Sequence, residues 1–329
     1  MAVILAFAVG TAAYAAYALF LRPVFNYDDV YIYVGRDTDA GDVSRQLSHY
    51  CAGSTRGFDL LCRYRGGKMP KGRYKFDRSD NMLSVYRRIR RGIQEPVMIS
   101  IRPAQRIGIV ESDLGRGLMA DSAEIAAAFR DSAFMAGEGF TPATLPALFI
   151  PDSYEVYWNI SATSLRKRIL REYKAYWNKE RRERAAEVGL TPTEAATLAS
   201  IVDAETSCEE EKPIVAGLYL NRIARGMPLQ ADPTVKYAVG DASLRRILYK
   251  HLEVDSPYNT YKHLGLPPGP IRIPSRSALA GVLSPARHNY LFMCAKEDFS
   301  GRHNFASTSG EHSRNARRYQ AELNKRKIR

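Results

Sequence analysis

Residues 2–21, AVILAFAVGTAAYAAYALFL, hold no charged side chain over 20 consecutive positions, and no other feature restricts the chain so strongly. A helix of that length reaches about 30 Å, the thickness of a bilayer's hydrocarbon core. Two readings compete. A cleaved signal peptide ordinarily has a basic leading region and a shorter apolar stretch. Neither is present, so the run reads as a retained transmembrane anchor. Arg22 follows it and nothing basic precedes it, which by the positive-inside rule would weakly favour a cytoplasmic body.

The remaining chain is ordinary globular material. Of the 329 residues of the whole chain 45% are hydrophobic and 25% charged, enough for real cores and about two domains. A net charge of +13 implies anionic surroundings, whether nucleic acid, lipid headgroups or an acidic polymer. No zinc-type cysteine spacing and no nucleic-acid motif accompany the charge, so nucleic acid is not expected as a partner. Cys51 and Cys62 lie in one loop-rich stretch and would suit a disulfide in an oxidising compartment. Four unpaired thiols, counting Cys208 and Cys294, fit equally well.

Along the chain, Tyr31–Val34 reads as a strand, a helix begins at Asp42, and an extended piece follows Gly72. Residues 81–91 show apolar positions at helical spacing, and Val97–Ile101 is a strand. This order describes a small α+β module. Residues 109–137 hold one or two further helices. The proline- and aromatic-rich residues 142–157 form an ordered connector and the main domain boundary. A long helix runs from Ser164 to about Val188, rich in Arg and Lys interleaved with Tyr173, Tyr176 and Trp177. Its cations either contact an anionic polymer or form a solvated face with the aromatics packed inward; the second reading is preferred. After a core helix over 212–226, the stretches 229–235, 256–261 and 265–271 are dense in Pro, Gly, Asn and Tyr, which excludes regular helix or central strand there. Long ordered loops of that kind usually serve a site. A short helix over 277–283, strands at 290–294 and 304–305, and a basic helix over 311–327 complete the chain.

One helix stands out. Thr191, Pro192 and Glu194 make a capping box with proline at the first helical position. From there Leu198, Ile201, Val202 and Glu205 follow at i, i+3, i+4 and i+7, which puts the Glu205 carboxyl on the apolar face. Asp203 falls well round the helix and is expected in solvent. A carboxyl group in an apolar place is either paired or carries a raised pKa. Pairing with an arginine such as Arg222 is the simpler reading of this local pattern.

Four separated segments then resemble one family. LASIVDAET (198–206), LYLNRIARGMPLQADPTVKYAVG (218–240), SPYNTYKHLGLPPGPIRIPS (256–275) and YLFMCAKEDFSGRHNFASTSGEH (290–312) resemble the endolytic murein transglycosylases, the YceG-like or MltG type. LFIPDSY (148–154) is similar to that family's connector. The resemblance implies an α+β chain in four parts. These are a transmembrane helix (1–22), a small LysM-like α+β module (28–102), a helical segment and connector (103–158), and a mixed α+β catalytic domain with long ordered loops (159–329). It also implies an inner-membrane enzyme with its body outside the cytoplasm, against the weak charge evidence. Its substrate would be nascent peptidoglycan glycan strands, with peptidoglycan synthases as candidate partners.

The family's catalytic glutamate matches Glu205. A lytic transglycosylase uses the substrate's own C6 hydroxyl as nucleophile and so needs one carboxyl group, where a hydrolase usually needs two. That group must be protonated near neutral pH, which the apolar face around Glu205 would favour. Gln230, Asn259 and Thr260 are candidates to hydrogen-bond sugar hydroxyls or N-acetyl groups, with Thr234 beside them. Tyr258 and Tyr261 are candidates to stack on pyranose faces. Asp232 is either a second carboxylate or the holder of the turn before Thr234, the turn being preferred. His303 and His312 resemble family positions but lack metal-ligand spacing, so neither a metal nor another cofactor is expected.

Overall fold

The computed structural model describes residues 1–241, 244 and 246–326, so the expected end of the last helix at residue 327 lies outside the described residues. The chain forms two compact units. One comprises residues 1–99, 115–121 and 154–161, and the other residues 100–114, 122–153 and 162–329.

The first unit begins with α1 (Ala2–Ala16), which a π-helical turn continues to Leu21. Together they make one helix, long and apolar enough to cross a membrane, with none of it buried. Next come β1 (Val30–Val34), α2 (Ala40–Ser48), α3 (Arg56–Arg65), β2 (Gly72–Phe76) and α4 (Met82–Arg90). β1 and β2 pair antiparallel, Ile32 opposite Tyr74. Alternate residues of both strands face one core, in which Ile32, Val34, Tyr74, Phe76, Val43, Leu47, Phe58 and Met82 are fully enclosed. The expected alternation of strand and helix needs one correction, because α3 occupies what looked like loop between α2 and β2. Phe58 and Cys62 on α3 are buried one helical turn apart. Gly57 is required there: a Cβ would fall 1.9 Å from the carbonyl oxygen of Leu19, so only glycine lets the end of the apolar helix lie on α3. Residues beyond that helix are built straight into the module, with Val24 and Phe25 buried and Val24 N donating to Asp80 O at 3.1 Å.

β3 (Val97–Ile101) pairs with β4 (Asp152–Val156), and the boundaries between the units fall within these strands. Between them run α5 (Ile107–Gly117), α6 (Ser122–Phe129) and α7 (Ser132–Glu138), three helices where one or two were expected. The connector also contains a 3-10 turn at Leu145–Leu148.

The second unit continues with α8 (Ala162–Tyr176), α9 (Lys179–Glu187), α10 (Pro192–Glu205), α11 (Lys212–Ala224), α12 (Asp232–Val239), α13 (Tyr249–Leu252), α14 (Arg276–Leu283), the antiparallel hairpin β5 (Phe292–Ala295) and β6 (His303–Ala306), and α15 (Ser309–Lys325). The long basic helix is in fact two. Asn178 accepts a hydrogen bond from Arg181 N and caps α9, which ends α8 at Tyr176. Tyr176 and Trp177 pack inward, and Arg168, Lys174, Lys179 and Arg184 each pair with a glutamate, as a solvated face would. α12 is a second correction, a helix inside the proline-rich region. Pro233 stands in its first turn, where no intrahelical N–H is needed. The four cysteines are free thiols, and burial pushes Cys51 and Cys62 up to about 11.

Candidate active site

α10 is enclosed on every side. Each residue from Ala195 to Val202 is buried, against α11, α14 and the loop through Ile271. The capping box read from Thr191 and Glu194 is present, and Pro192 opens the first turn. Glu205 is the last helical residue and only half-buried, at the wall of a cavity of about 940 Å³. Lining the same cavity are Asp232, Pro233, Lys236 and Tyr237 of α12, Arg106, and Arg272 in the loop before α14.

That wall is assembled by backbone contacts to short side chains. Ser200 Oγ accepts from Ile271 N at 3.0 Å and donates to Thr197 O at 2.7 Å, which fastens the loop to α10. Ala104 and Ile273 exchange hydrogen bonds of 3.3 and 2.8 Å, bringing residues 104–107 to the opposite side of that loop. At Gly269 an added Cβ would lie 2.1 Å from the Ala143 carbonyl oxygen, so the Pro-Gly-Pro turn can close on the connector only with glycine.

Glu205 has no cationic partner among the described residues. Its one hydrogen bond comes from the buried Tyr219 hydroxyl of α11, which donates to Oε1 at 2.8 Å. Burial raises the carboxyl pKa to about 7; the Tyr219 hydrogen bond opposes the rise and the charge of Asp232 adds to it. The helix end acts in the same direction, because the last carbonyls of α10 carry partial negative charge. The protonated acid is therefore far more populated near neutral pH than for an ordinary glutamate. Tyr219 in turn is raised well above its ordinary range by burial first and then by Glu205, so it donates throughout.

The expected pairing with Arg222 does not form. Arg222 is buried, and its guanidinium donates to the carbonyls of Leu291 (2.7 Å), Leu229 (2.7 Å) and Pro228 (3.1 Å) and to Gln230 Oε1 (3.3 Å). It staples the turn that leads into α12. Asp203 also departs from expectation. It is not in solvent: its side chain is 6% exposed and lies 3.1 Å from Lys212 Nζ and 3.4 Å from Arg272 Nε. Lys212 is itself buried, with Glu209 at 2.7 Å and the hydroxyls of Ser275 and Ser277 at 3.0 and 2.8 Å. This is a closed ion-pair network that holds the start of α11 and α14 to α10.

The other expected site residues separate into two groups. Asp232 lines the cavity, exposed, and accepts from Tyr261 Oη at 2.6 Å. Tyr258 packs against Tyr237 with ring centroids 4.7 Å apart and planes tilted by 48°, and Tyr237 lines the cavity. Asn259, Thr260 and Thr234 lie instead inside the loop scaffold, enclosed and satisfied. Asn259 Nδ2 donates to Leu252 O (2.8 Å) and Val254 O (2.9 Å), and Thr260 Oγ1 meets Thr234 Oγ1 at 2.8 Å while accepting from Ala231 N at 3.0 Å. Gln230 is exposed, with its amide oxygen held by Arg222 and a backbone φ of +51°, a left-handed conformation uncommon outside glycine. Tyr219, Tyr237, Lys236, Arg106 and Arg272 were not anticipated. Tyr219 lies among the buried residues of α11, on the face it shares with Lys212, Val215 and Arg222.

Behind Glu205 the chain leaves the helix through a second fixed point. Thr206 Oγ1 donates to Glu211 Oε2 at 3.0 Å, and that buried carboxylate also takes His303 N and Nδ1, both at 2.8 Å. Burial pushes Glu211 upward, but the hydrogen bonds from His303 and Thr206 outweigh it and leave the group below its usual value. Among the described residues no group of three or more His, Cys, Asp or Glu side chains converges as a metal site would need.

Fold and site together define a mixed α+β protein with a lone raised carboxyl group in a deep cleft, flanked by a second carboxyl and by aromatics. The sequence model of the YceG-like family matches residues 32–318, and the chain belongs to that family. Over 130 residues, 40% of this chain and 35% of the relative, it is 40% identical to an endolytic murein transglycosylase of Bacillus subtilis. Over 290 residues, 78% of this chain and 52% of the relative, it is 26% identical to an endolytic murein transglycosylase of Streptococcus pneumoniae. These matches take in about half or less of the relatives' own length. A crystal structure of a YceG-like protein of Listeria monocytogenes shares the fold, with a TM-score of 0.58 and 23% identity, over 87% of this chain and 98% of that one.

Proposed function

We propose that the chain is a membrane-anchored lytic transglycosylase that cuts peptidoglycan glycan strands between MurNAc and GlcNAc, with Glu205 as its single acid and base. The observation that carries this reading is a carboxyl group raised to about 7, without a cationic partner, at the wall of the large cavity. Tyr219 occupies Oε1, so the acid proton sits on Oε2. Glu205 gives that proton to the glycosidic oxygen as the bond from C1 breaks. The C6 hydroxyl oxygen of the same MurNAc then bonds to C1, and its proton passes to the Glu205 carboxylate. No water enters, and a 1,6-anhydro end results. Positive charge on the sugar ring during bond breaking is met by Asp232, which Tyr261 holds in place. Tyr237 and Tyr258 offer a ring face to the pyranoses, and Gln230 an amide at the rim.

The names of the similar proteins support the substrate class. The apolar helix Ala2–Leu21 supports an anchor in the inner membrane with the body outside the cytoplasm, near the synthases that extend the strands. The strand-helix-helix-strand order of β1, α2, α3 and β2 supports a LysM-like module over 28–102, within the four-part division given above. Cutting strands as they leave the membrane would make the enzyme a terminator of glycan elongation.

The test is mass spectrometry of sacculi digested by the wild-type chain and by Glu205→Gln. The wild type should release ends one water lighter than hydrolysis gives, and the variant, with fold intact, none. Ordinary reducing ends would instead indicate hydrolysis with Asp232 as second carboxylate. Sacculus binding without release by the wild type would indicate a non-catalytic scaffold.

A further inference from the structure

A small pocket of about 280 Å³ lies in the first unit, at the foot of the apolar helix against α4. Leu21, Leu83, Ile93, Arg87 and Arg91 line it. Leu21 and Ile93 are 49% and 55% exposed, large apolar groups left open beside two guanidinium groups. A third arginine, Arg88, is already committed, with Asp80 at 2.9 and 3.0 Å on its two terminal nitrogens. Arg87 in the last turn of α4 and Arg91 just after it, four residues apart, form no ion pair among the described residues, and no acidic side chain lines the pocket. Such a pocket is amphiphilic, its lining made up of cations, short polar groups and apolar side chains.

Its position relative to the helix is set without a tether. Only Arg22 separates Leu21 from Pro23, which is bridged to Asn81, and the Leu19 carbonyl rests on Gly57. If Ala2–Leu21 crosses a bilayer, as proposed above, the pocket sits at the depth of the headgroups, with Leu21 and Ile93 toward the acyl chains. Guanidinium groups fit phosphate oxygens in forked pairs.

We propose that Arg87 and Arg91 bind the phosphate of an anionic phospholipid headgroup, with Leu21 and Ile93 against its glycerol and first acyl carbons. The site fixes how the first unit stands on the membrane, and it rests on the anchor reading but not on the chemistry at Glu205.

The test uses the full chain in mild detergent, incubated with equal amounts of phosphatidylglycerol and phosphatidylcholine and examined by native mass spectrometry. The wild type should retain phosphatidylglycerol in preference. Arg87→Gln/Arg91→Gln should weaken that retention roughly thirtyfold, each arginine near an anionic surface contributing about fivefold. Arg90→Gln, outside the pocket on the same helix, should retain it fully, and equal melting temperatures should show that all variants fold. Unchanged retention by the double variant, an equal loss from Arg90→Gln, or displacement of the lipid by inorganic phosphate would each overturn the proposal. Release of the wild-type chain from membranes by alkaline carbonate would refute the anchor itself, a failure that the lipid-retention comparison cannot be confused with.

Discussion

Tyr219→Phe removes a single oxygen atom, the one that donates to Glu205 Oε1 at 2.8 Å. A hydrogen bond to a charged acceptor contributes about 1.5–3 kcal/mol and one to a neutral acceptor about 1 kcal/mol. The hydroxyl therefore favours the carboxylate over the acid by roughly 1 kcal/mol, or somewhat under one pKa unit. Removing it lifts Glu205 from about 7 toward 8. The sign matters, because in the proposed mechanism the protonated form of Glu205 is the one that acts. Activity should fall as pH rises through this pKa, and in the variant that fall should move to higher pH by roughly half a unit to one unit. The assay is release of anhydro-ended muropeptides from sacculi at a series of pH values, with wild type and variant in parallel. Maximal rate should also drop, since the acid proton is no longer confined to Oε2. An alkaline limb that stays in place, or moves to lower pH, would mean that the titrating group is not the carboxyl that Tyr219 touches.

Further consequences follow from the same geometry. Glu205 is raised above its unfolded value of 4.5 to about 7, so the native state binds an extra proton in that window and stability declines as pH rises through it. Glu205→Gln should thus melt like wild type near pH 4 to 5 and be more stable by roughly 1–3 kcal/mol above pH 7. A variant that is equally stable at both ends would contradict the raised pKa. Lys212→Met leaves buried Asp203 with Arg272 as its remaining cation beside the Ser275 hydroxyl and should cost roughly 3–5 kcal/mol in denaturant unfolding. Adding Asp203→Asn should recover part of that loss. Gly269→Ala drives a Cβ into the Ala143 carbonyl and should lower stability by roughly 1–3 kcal/mol, together with activity, because the displaced loop carries the cavity wall. An unchanged melting temperature would show that the loop does not close there.

What could be read in the sequence, and what could not, follows the range of the forces involved. The cap at Thr191 and the apolar repeat through Leu198, Ile201 and Val202 are set by neighbours within one or two turns, and both were legible. Asp203 was misread because periodicity assumes a helix with a wet side. α10 has none, and the partners that neutralise Asp203 come from Lys212, nine residues on, and from Arg272, 69 residues on. Asn259 and Thr260 were marked as sugar ligands because polar residues in long loops often serve a ligand. A loop without a ladder must first satisfy its own backbone, and these two side chains are used for that. The break at Asn178 was missed because one cap residue can end a helix whose composition would continue it.

The position of Glu205 within α10 then has a physical reason that its residue type alone does not supply. One turn earlier, at Ile201 or Val202, a carboxyl group would be wholly enclosed, desolvated beyond any use and without a path to a substrate. One residue later the chain has left the helix, and Thr206 turns inward to Glu211. Among the α10 residues, Ala204 and Glu205 at its end reach the cleft, and of these two only Glu205 carries a carboxyl group. There the enclosing core, the terminal carbonyls and Asp232 all push the pKa up, and the single hydrogen bond from Tyr219 stops the rise near neutrality. An acid that must give up a proton and then take one back works best when neither form is strongly preferred, and the role proposed for Glu205 draws on that balance at the end of α10.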